Sequence, residues 1–389
     1  MLILFLPSQL GKHFFFPQSF IFGIRVDYLS PTVYFFDLLT VITFYFNFHY
    51  LLKYFIQKKI IFLLLLLIIN SIFSIFPLIS LVKIIRILQW WGIFLIIKKN
   101  LTLEKKQRQK VKNLITFALT LGTFFEFIVA LGQFVKKKSL GGIFWFFGER
   151  TFSLSTPEIA KVNLFGSEAL RSYGTFSHPN SLAGFFLLLY FYYLTKNDIK
   201  NDRWQRFFLL LISSFLILLS FSKLALTLWF LGSIFYFYKH LSCRLCFFAR
   251  LLTLMTVFLI FIFPLTDQSS FQNRFFLLKE GEEIFKTRWL QGVGLGAYVK
   301  AKELIKPVAS AYYLITQPVH NIFFLVITEM GLVVFSIFFL LFLKWIKKIW
   351  QKNRVVVLVF LITSFFDHYW WTLPQNFFLL PVISALILF

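Results

Sequence analysis

The chain has 389 residues, of which 59% are hydrophobic, 21% aromatic and 14% charged. This composition excludes intrinsic disorder, which needs low hydrophobicity, and argues against an ordinary soluble domain, in which about a quarter of the residues are charged. The formal net charge of +24 is compatible with binding to nucleic acid, with binding to anionic lipid or with membrane topology, and the placement of the basic residues decides among them.

Apolar runs follow one another along most of the chain. A spanning helix needs roughly 20 apolar residues, so this length accommodates about ten to twelve of them. The expected fold is therefore all-α, a single polytopic membrane helical bundle over residues 1–389. Residues 1–32 stay open between a short, a re-entrant and a full span, and no cleavable signal peptide is expected there. Clearer helices are predicted at 33–52, 60–80, 81–97, 113–135, 179–195, 207–221, 223–238, 250–265, 319–343, 355–373 and 376–389.

Basic residues gather between the predicted helices. More than half of the 40 Lys and Arg residues lie in five short clusters, each with apolar runs on both sides. This is the positive-inside pattern, which places all five clusters in the cytoplasm. No nucleic-acid partner is expected, because the basic residues do not gather on one soluble face. The clusters are residues 53–59, 98–112, 196–206, 239–250 and 344–354.

Two long polar stretches, residues 139–178 and 266–318, then face the outside of the membrane. A long loop in a compact protein is usually functional, so these stretches are the predicted location of the chemistry. The sequence lacks the inverted repeat that is typical of many transporters. Its acidic residues within apolar segments, Asp37, Glu126 and Asp367, are scattered rather than arranged as a proton relay.

Two predicted helices begin beside these loops with a Pro, a His and an Asn. The first helix follows Arg171-Ser-Tyr-Gly-Thr-Phe-Ser-His178-Pro179-Asn180, and the second follows Pro318-Val-His320-Asn321. Pro suits the first helical turn, and the free N–H groups and the dipole of a helix N-terminus favour an anion. Two ordinary capped helices are the alternative. The repetition on one predicted face favours a site for a phosphate-type anion.

Further cations lie near these motifs. The loop 266–318 contains Arg274 and Arg288, and Arg contacts phosphate bidentately; a solvated loop helix balanced by Glu residues is the alternative. Lys223 follows Ser220-Phe-Ser222 at a predicted outer hairpin. For Lys83 and Arg86, snorkelling to the interface is favoured over an anionic ligand.

Other patterns are assigned structural roles. Cys243 and Cys246 are expected to be reduced cytoplasmic thiols, because only His240 lies near as a third zinc ligand and no βαβ context surrounds them. Asp367-His368 is interpreted as a buried hydrogen-bonded pair, with a substrate contact as the alternative. The sequence has no Asp-x-Asp pair and no His-Glu-x-x-His motif, so neither a metal nor another cofactor is expected.

The glycine-rich segment Gly292-Val-Gly294-Leu-Gly296 lies late in the second loop. It is not a dinucleotide site, since no βαβ unit surrounds it. We expect its glycines to permit a tight turn beside the membrane surface.

Several of these motifs together resemble the O-antigen ligase and O-antigen polymerase superfamily. The segment 171–184, RSYGTFSHPNSLAG, is similar to the central motif of that superfamily, and the other elements follow in the family's order over about residues 25 to 389. The C-terminal end is short for the family. The matching elements are Ser220 to Lys223, Arg274, Gly292 to Gly296, His320-Asn321 and Glu329-Met-Gly331.

The resemblance implies an integral membrane glycosyltransferase of the cytoplasmic membrane, with a glycosyltransferase-C-like helical fold and no metal. Such enzymes take a glycan from undecaprenyl pyrophosphate at the outer face and pass it, with inversion, to a hydroxyl acceptor. Outer-face arginines hold the pyrophosphate, and a histidine works beside them. The implied catalytic residues are His320, Arg274 and Arg171. The implied substrate-binding residues are Lys223, which replaces an Arg of the family, and His178, Asn180, Asn321 and Arg288.

The acceptor stays open among a lipid core, another lipid-linked glycan and protein Ser or Thr. A secondary transporter or flippase of a lipid-linked or anionic solute is the alternative function. A family member that has lost its activity is a third possibility, for which the Lys at position 223 is the one indication.

Overall fold

The computed structural model describes residues 1–164, 166–196, 203–241, 243–264, 269–305 and 316–389. These residues are mostly helical, which confirms the expected helical class. The helices are α1 Phe35–Phe46, α2 Phe48–Phe55, α3 Lys58–Ile72, α4 Pro77–Leu101, α5 Lys105–Lys136, α6 Pro179–Thr195, α7 Arg203–Ser220, α8 Lys223–His240, α9 Arg244–Ile262, α10 Ser269–Thr287, α11 Ile322–Lys352, α12 Arg354–Phe366, α13 Tyr369–Thr372 and α14 Pro374–Leu388.

Four of the described helices, α4, α5, α9 and α11, are long and apolar enough to cross a membrane, and α1 with α2 makes a fifth if this pair, bent by 90°, is one span. By this criterion the structure supports fewer spans than the ten to twelve predicted. Several expected spans are shorter apolar helices, namely Trp204–Ser220, Arg354–Phe366 and Pro374–Leu388.

Residues 1–34 contain no α-helix. They form short strands, β1 Gly11–His13, β2 Phe20–Ile21, β3 Ile24–Arg25 and β4 Thr32–Tyr34, and two 3-10 turns. β1 pairs with β4 and β2 with β3, both antiparallel. The predicted first loop, residues 139–178, holds a 3-10 helix at Gly142–Phe147 and the antiparallel strands β5 Lys161–Leu164 and β6 Ser167–Leu170.

The chain divides into two compact units. The first unit comprises Met1–Leu10, Lys105–Asp267 and Asn353–Thr363; the second comprises Gly11–Glu104, Gln268–Lys352 and Ser364–Phe389. In the first unit, α6 is buried along almost its whole length and packs against α7 and α8. A helix that is apolar all round is stable only when neighbours cover every face, so α6 forms the centre of this unit.

In the second unit, Arg86 is an internal group. Its guanidinium contacts the Asp37 carboxylate and donates to the Thr32 carbonyl at 2.7 Å, and Gln89 also donates to Asp37. The side chains of Arg86 and Asp37 are only 11% and 13% exposed. Snorkelling is therefore the wrong interpretation for Arg86, because α1 supplies a carboxylate within reach.

Lys83 is likewise turned inward. Its ammonium lies 4.1 Å from the centre of the Trp371 ring and 4.8 Å from that of Phe377, and it donates to the Trp371 carbonyl. The Trp371 indole in turn donates to Glu329 at 2.8 Å. The snorkelling interpretation is wrong here as well, since aromatic faces and a backbone oxygen hold the cation inside the unit.

Cys243 and Cys246 form a disulfide instead of the expected free thiols. Cys243 caps α9, and its sulfur accepts from the Cys246 N–H. One helical turn therefore brings the two Cα atoms to 5.3 Å, within the range that a disulfide spans.

The loop 266–318 contains a buried ion pair within the second unit. Lys302 donates to Glu280, and their side chains are 1% and 9% exposed, whereas Lys286 pairs with Glu282 and Glu283 at the surface. Burial lowers the pKa of Lys302, although Glu280 opposes the shift. Glu280 is therefore a buried structural partner of Lys302, whereas Glu282 and Glu283 lie at the surface, as the solvated-helix interpretation predicts for all three.

Replacing Glu280 by Gln is expected to lower the free energy of unfolding by about 3 kcal/mol near neutral pH, because it leaves a buried ammonium without its carboxylate. The loss should shrink as pH rises towards about 10, since the folded protein then releases the Lys302 proton before the unfolded chain does. Denaturant titrations at two pH values measure this. Glu282→Gln, on the exposed side of α10, is the control and should change stability little; equal losses would contradict the assignment.

Candidate functional site

A cluster of ionisable side chains lies in the second unit where α12 ends. We call it the His320 cluster: His320, Asp367, His368 and Arg274. His320 precedes α11, Arg274 lies on α10, and Asp367 and His368 occupy the two-residue break between α12 and α13. Residues far apart in the sequence are therefore brought together by the packing of three helices.

The end of α12 explains why these elements meet. The last carbonyl groups of a helix lack partners within the helix. Arg274 donates to the carbonyl of Phe366 at 2.9 Å, and Asn321 donates to that of Phe365 at 3.3 Å. The side-chain oxygen of Asn321 also accepts from the Phe324 N–H at 2.9 Å and so caps α11. One amide thus joins the start of α11 to the end of α12.

Within the cluster, His320 Nδ1 lies 3.4 Å from Asp367 Oδ1. His320 Nε2 lies 3.4 Å from the Gln317 side-chain oxygen. The side chain of Asp367 is 8% exposed and that of His320 is 16% exposed. Gln317 Oε1 is an acceptor, so its contact needs the ring proton on Nε2. The Asp367 carboxylate instead favours the tautomer with the proton on Nδ1, which leaves Nε2 able to accept a proton.

Asp367 and His368 are both buried, as the sequence predicted. Asp367 accepts from the His368 backbone N–H at 2.8 Å, and His368 Nδ1 lies 2.8 Å from the Thr372 hydroxyl. The imidazole of His368 also lies beside that of His320, with ring centres 4.9 Å apart and the ring planes tilted by 50°. The pair is therefore not an isolated structural element but part of the surroundings of His320.

Arg288 lies elsewhere in the second unit. Its guanidinium donates to the carbonyl of Phe73 at 3.0 Å, just beyond the end of α3. It therefore satisfies a helix C-terminus rather than completing the His320 cluster.

The first unit contains a second group of predicted residues, which we call the Arg171 cluster: Arg171, His178, Asn180 and Ser220. Arg171 Nε donates to the Ser220 carbonyl at 2.8 Å, and its terminal nitrogen donates to Asn180 at 2.7 Å. His178 caps α6 by accepting from the Asn180 N–H. α6 therefore begins at Pro179 as predicted. The planar fork of Arg171 joins the central motif to the Ser-Phe-Ser-Lys turn.

The turn at Ser220 to Lys223 is conformationally unusual. Phe221 is buried and has a φ of +48°, a region that bulky residues rarely adopt. The exposed Lys223 begins α8 directly after it. Strained backbone of this kind clusters at binding and catalytic sites, so the turn supports a functional role for the Arg171 cluster.

A buried carboxylate network supports the central motif. Glu126 accepts from the N–H and hydroxyl of Thr175, and Gln133 accepts from the N–H groups of Tyr173 and Gly174. Gln133 also donates to Glu149, whose oxygens accept from two loop N–H groups. The sequence analysis set Glu126 aside as scattered; its spacing from Gln133, seven residues along α5, was the available signal that both lie on one helix face.

Changing Arg171 to Lys should destabilise the first unit by about 1.5–3 kcal/mol, because a point charge cannot keep both hydrogen bonds of the planar fork. Arg150→Lys is the matched control, since Arg150 is exposed and makes one 3.2 Å contact with the Ser177 carbonyl. Thermal unfolding of the two variants compares them. Equal shifts in melting temperature would contradict a special role for the Arg171 fork.

The glycines of the second loop are placed by packing against α11. Gly292, Gly294 and Gly296 all have positive φ, and α11 is broken at Gly331, which also has positive φ. The Asn70 amide donates to the carbonyls of Gln291 and Met330 and ties the two segments together. Gly292 is buried against the helix break and Gly294 against Ser74. The position of this turn beside the membrane surface stays a prediction.

No protein-family model matches the chain, and comparison with curated proteins gives no significant match. The family resemblance therefore rests on the ordered motifs alone.

Proposed function

We propose that the chain is a metal-independent membrane glycosyltransferase. It moves a glycan from undecaprenyl pyrophosphate to a hydroxyl acceptor at the outer face of the cytoplasmic membrane, with inversion at the anomeric carbon. The observation that carries the proposal is the His320 cluster, in which an imidazole lies against a buried carboxylate and beside an Arg on a neighbouring helix. The order of the sequence motifs supports it.

In the proposed reaction, one C–O bond forms and one C–O bond breaks at the anomeric carbon. The acceptor oxygen attacks the anomeric carbon while the bond from that carbon to the pyrophosphate oxygen breaks. His320 Nε2 accepts the hydroxyl proton, and Asp367 stabilises the resulting imidazolium. Because pyrophosphate is already a good leaving group, most of the remaining task is to position the donor and to stabilise charge on the phosphate.

Arg274 is suited to that task. Among the described residues, its guanidinium donates to the Phe366 carbonyl, and a guanidinium carries five N–H donors. The others can contact phosphate oxygens bidentately. Asn321 is proposed to hold the local geometry through its two bonds. In the first unit, Arg171, His178, Asn180 and Lys223 are proposed as a further anion-binding element.

The test is a transfer assay with the purified protein in liposomes that carry an undecaprenyl-pyrophosphate glycan and a mixture of envelope acceptors, without any ion gradient. Release of free undecaprenyl pyrophosphate that Arg274→Ala abolishes and Arg25→Ala preserves is the expected result; Arg25 is an exposed Arg of the same unit. Mass spectrometry of the product then identifies the acceptor as lipid core, glycan or protein.

A different result would favour the transporter. If the folded protein released no undecaprenyl pyrophosphate with any acceptor, but moved the lipid-linked glycan across the bilayer in response to a proton or sodium gradient, the transferase proposal would be overturned. A folded protein with neither activity would favour an inactive relative.

A further inference from the structure

We propose that His320, Asp367 and His368 form a binding site for a divalent transition-metal ion of the Zn²⁺ class. The proposed transfer reaction does not use this ion. Its binding inhibits transfer by sequestering His320, and this second clause alone rests on the proposed function.

The spacing of the donor atoms carries the inference. One ligand atom from each of the three residues lies within 4.8 Å of the other two. Zinc bonds of about 2.0–2.1 Å at tetrahedral angles place neighbouring ligand atoms about 3.4 Å apart. His320 Nδ1 and Asp367 Oδ1 already lie 3.4 Å apart. The distance between these two atoms therefore fits one edge of a tetrahedron, and a ligand atom of His368 lies within 4.8 Å of the ligand atoms of both residues.

His368 has the outer contact that metal-binding histidines commonly have. Its Nδ1 lies 2.8 Å from the Thr372 hydroxyl, so donation to that hydroxyl places the proton on Nδ1 and leaves the Nε2 lone pair for an ion. The ring is held between the neighbouring imidazole of His320 and the edge-on ring of Tyr28. The ligand is thus oriented before any ion binds.

The donor set selects the kind of ion. Two imidazoles and one carboxylate suit Zn²⁺, Co²⁺ and similar ions, whereas Mg²⁺ and Ca²⁺ prefer oxygen ligands throughout. Three protein ligands leave a fourth position for water, as in sites that exchange a ligand. The nearby Arg274 opposes a second cation, so the affinity is expected to be lower than that of closed structural zinc sites.

Occupancy has a defined consequence for the imidazole of His320. An ion on Nδ1 forces the ring proton onto Nε2, the atom proposed to accept the hydroxyl proton. The same ion binds the Asp367 carboxylate, which then no longer stabilises a positive charge on the His320 imidazole. Transfer is therefore blocked without any change in the fold.

Binding is tested directly on the protein of residues 1–389 carrying Cys243→Ser and Cys246→Ser, which removes both cysteines of the sequence as competing ligands. After treatment with a chelator, Zn²⁺ is titrated by calorimetry, and Co²⁺ is titrated by its visible absorption. One ion per chain with a tetrahedral Co²⁺ spectrum is expected. His368→Gln should abolish that spectrum. Thr372→Val, which preserves all three ligands, should weaken binding by about 10–100-fold.

Absence of the Co²⁺ spectrum in the parent protein, or a spectrum that His368→Gln leaves unchanged, overturns the site. In the transfer assay, Zn²⁺ should inhibit the parent, whereas His368→Gln, compared with its own rate without metal, should need at least about tenfold more Zn²⁺ for the same fractional inhibition. Binding without inhibition of an active enzyme overturns the regulatory clause. A protein that binds the ion but never transfers glycan contradicts the proposed function while supporting the site.

Discussion

Replacing His320 by Ala is expected to slow glycan transfer by about 10²–10⁴-fold, the usual contribution of a positioned proton acceptor. The imidazole is the one group of the His320 cluster that both contacts a buried carboxylate and is partly exposed. The substitution changes neither the pyrophosphate leaving group nor Arg274. We therefore expect the rate of the chemical step to fall while the affinity for the donor stays the same. Initial rates of undecaprenyl pyrophosphate release at saturating donor measure this.

Two further variants make the result specific. Asp367→Asn should give a smaller loss than His320→Ala, because the base remains but its imidazolium is no longer stabilised. His49→Ala is the matched control, since His49 is exposed on α2 and its ring contacts that of Phe48. Transfer by His320→Ala at the wild-type rate would rule out the proposed proton acceptor, and an equal loss in His49→Ala would point to a general effect of the substitution.

Replacing Gly292 by Ala should prevent the second unit from folding, with a cost above about 5 kcal/mol. A Cβ atom at this position would lie 2.3 Å from the Glu329 carbonyl oxygen and 2.4 Å from the Gly331 nitrogen. Both are backbone atoms of the break in α11, so no side-chain rotation relieves the overlap. The glycine φ of +78° adds the ordinary cost of a left-handed conformation.

Gly23→Ala separates these two effects. Gly23 lies in the same unit with a φ of +81°, and an added Cβ would meet nothing within 4 Å. We expect Gly23→Ala to lower the free energy of unfolding by about 1–2 kcal/mol, the cost of placing a residue with a Cβ atom in the left-handed conformation. Yield of monodisperse protein and the apparent melting temperature in detergent compare the variants. Similar values for both would show that the contact between Gly292 and α11 does not hold the unit together.

The failure of Gly292→Ala would have a functional consequence as well. α11 carries His320 just before its first residue, and the Gly292 segment packs against the break in the same helix. The glycine-rich element therefore acts on the candidate site through the position of α11, and not by contact with a ligand.

Composition and periodicity alone determined the helical membrane character of the chain. Long apolar runs cannot leave their backbone groups unpaired in lipid, so they form helices whatever their partners. The start of α6 at Pro179, with His178 as its cap, also followed from the local sequence, because a Pro, a polar side chain and free N–H groups act within one turn.

Tertiary structure decided which polar groups meet. Asp367 and His368 belong beside His320 only because Arg274 and Asn321 hold the end of α12. Lys83 and Arg86 point into the second unit because residues distant in sequence supply their partners. Lys83 lies over the Trp371 ring, and Arg86 contacts the Asp37 carboxylate. A cation in an apolar sequence has the same local pattern whether it snorkels or pairs internally. The choice is made by the free energy of a partner that only folding brings within reach.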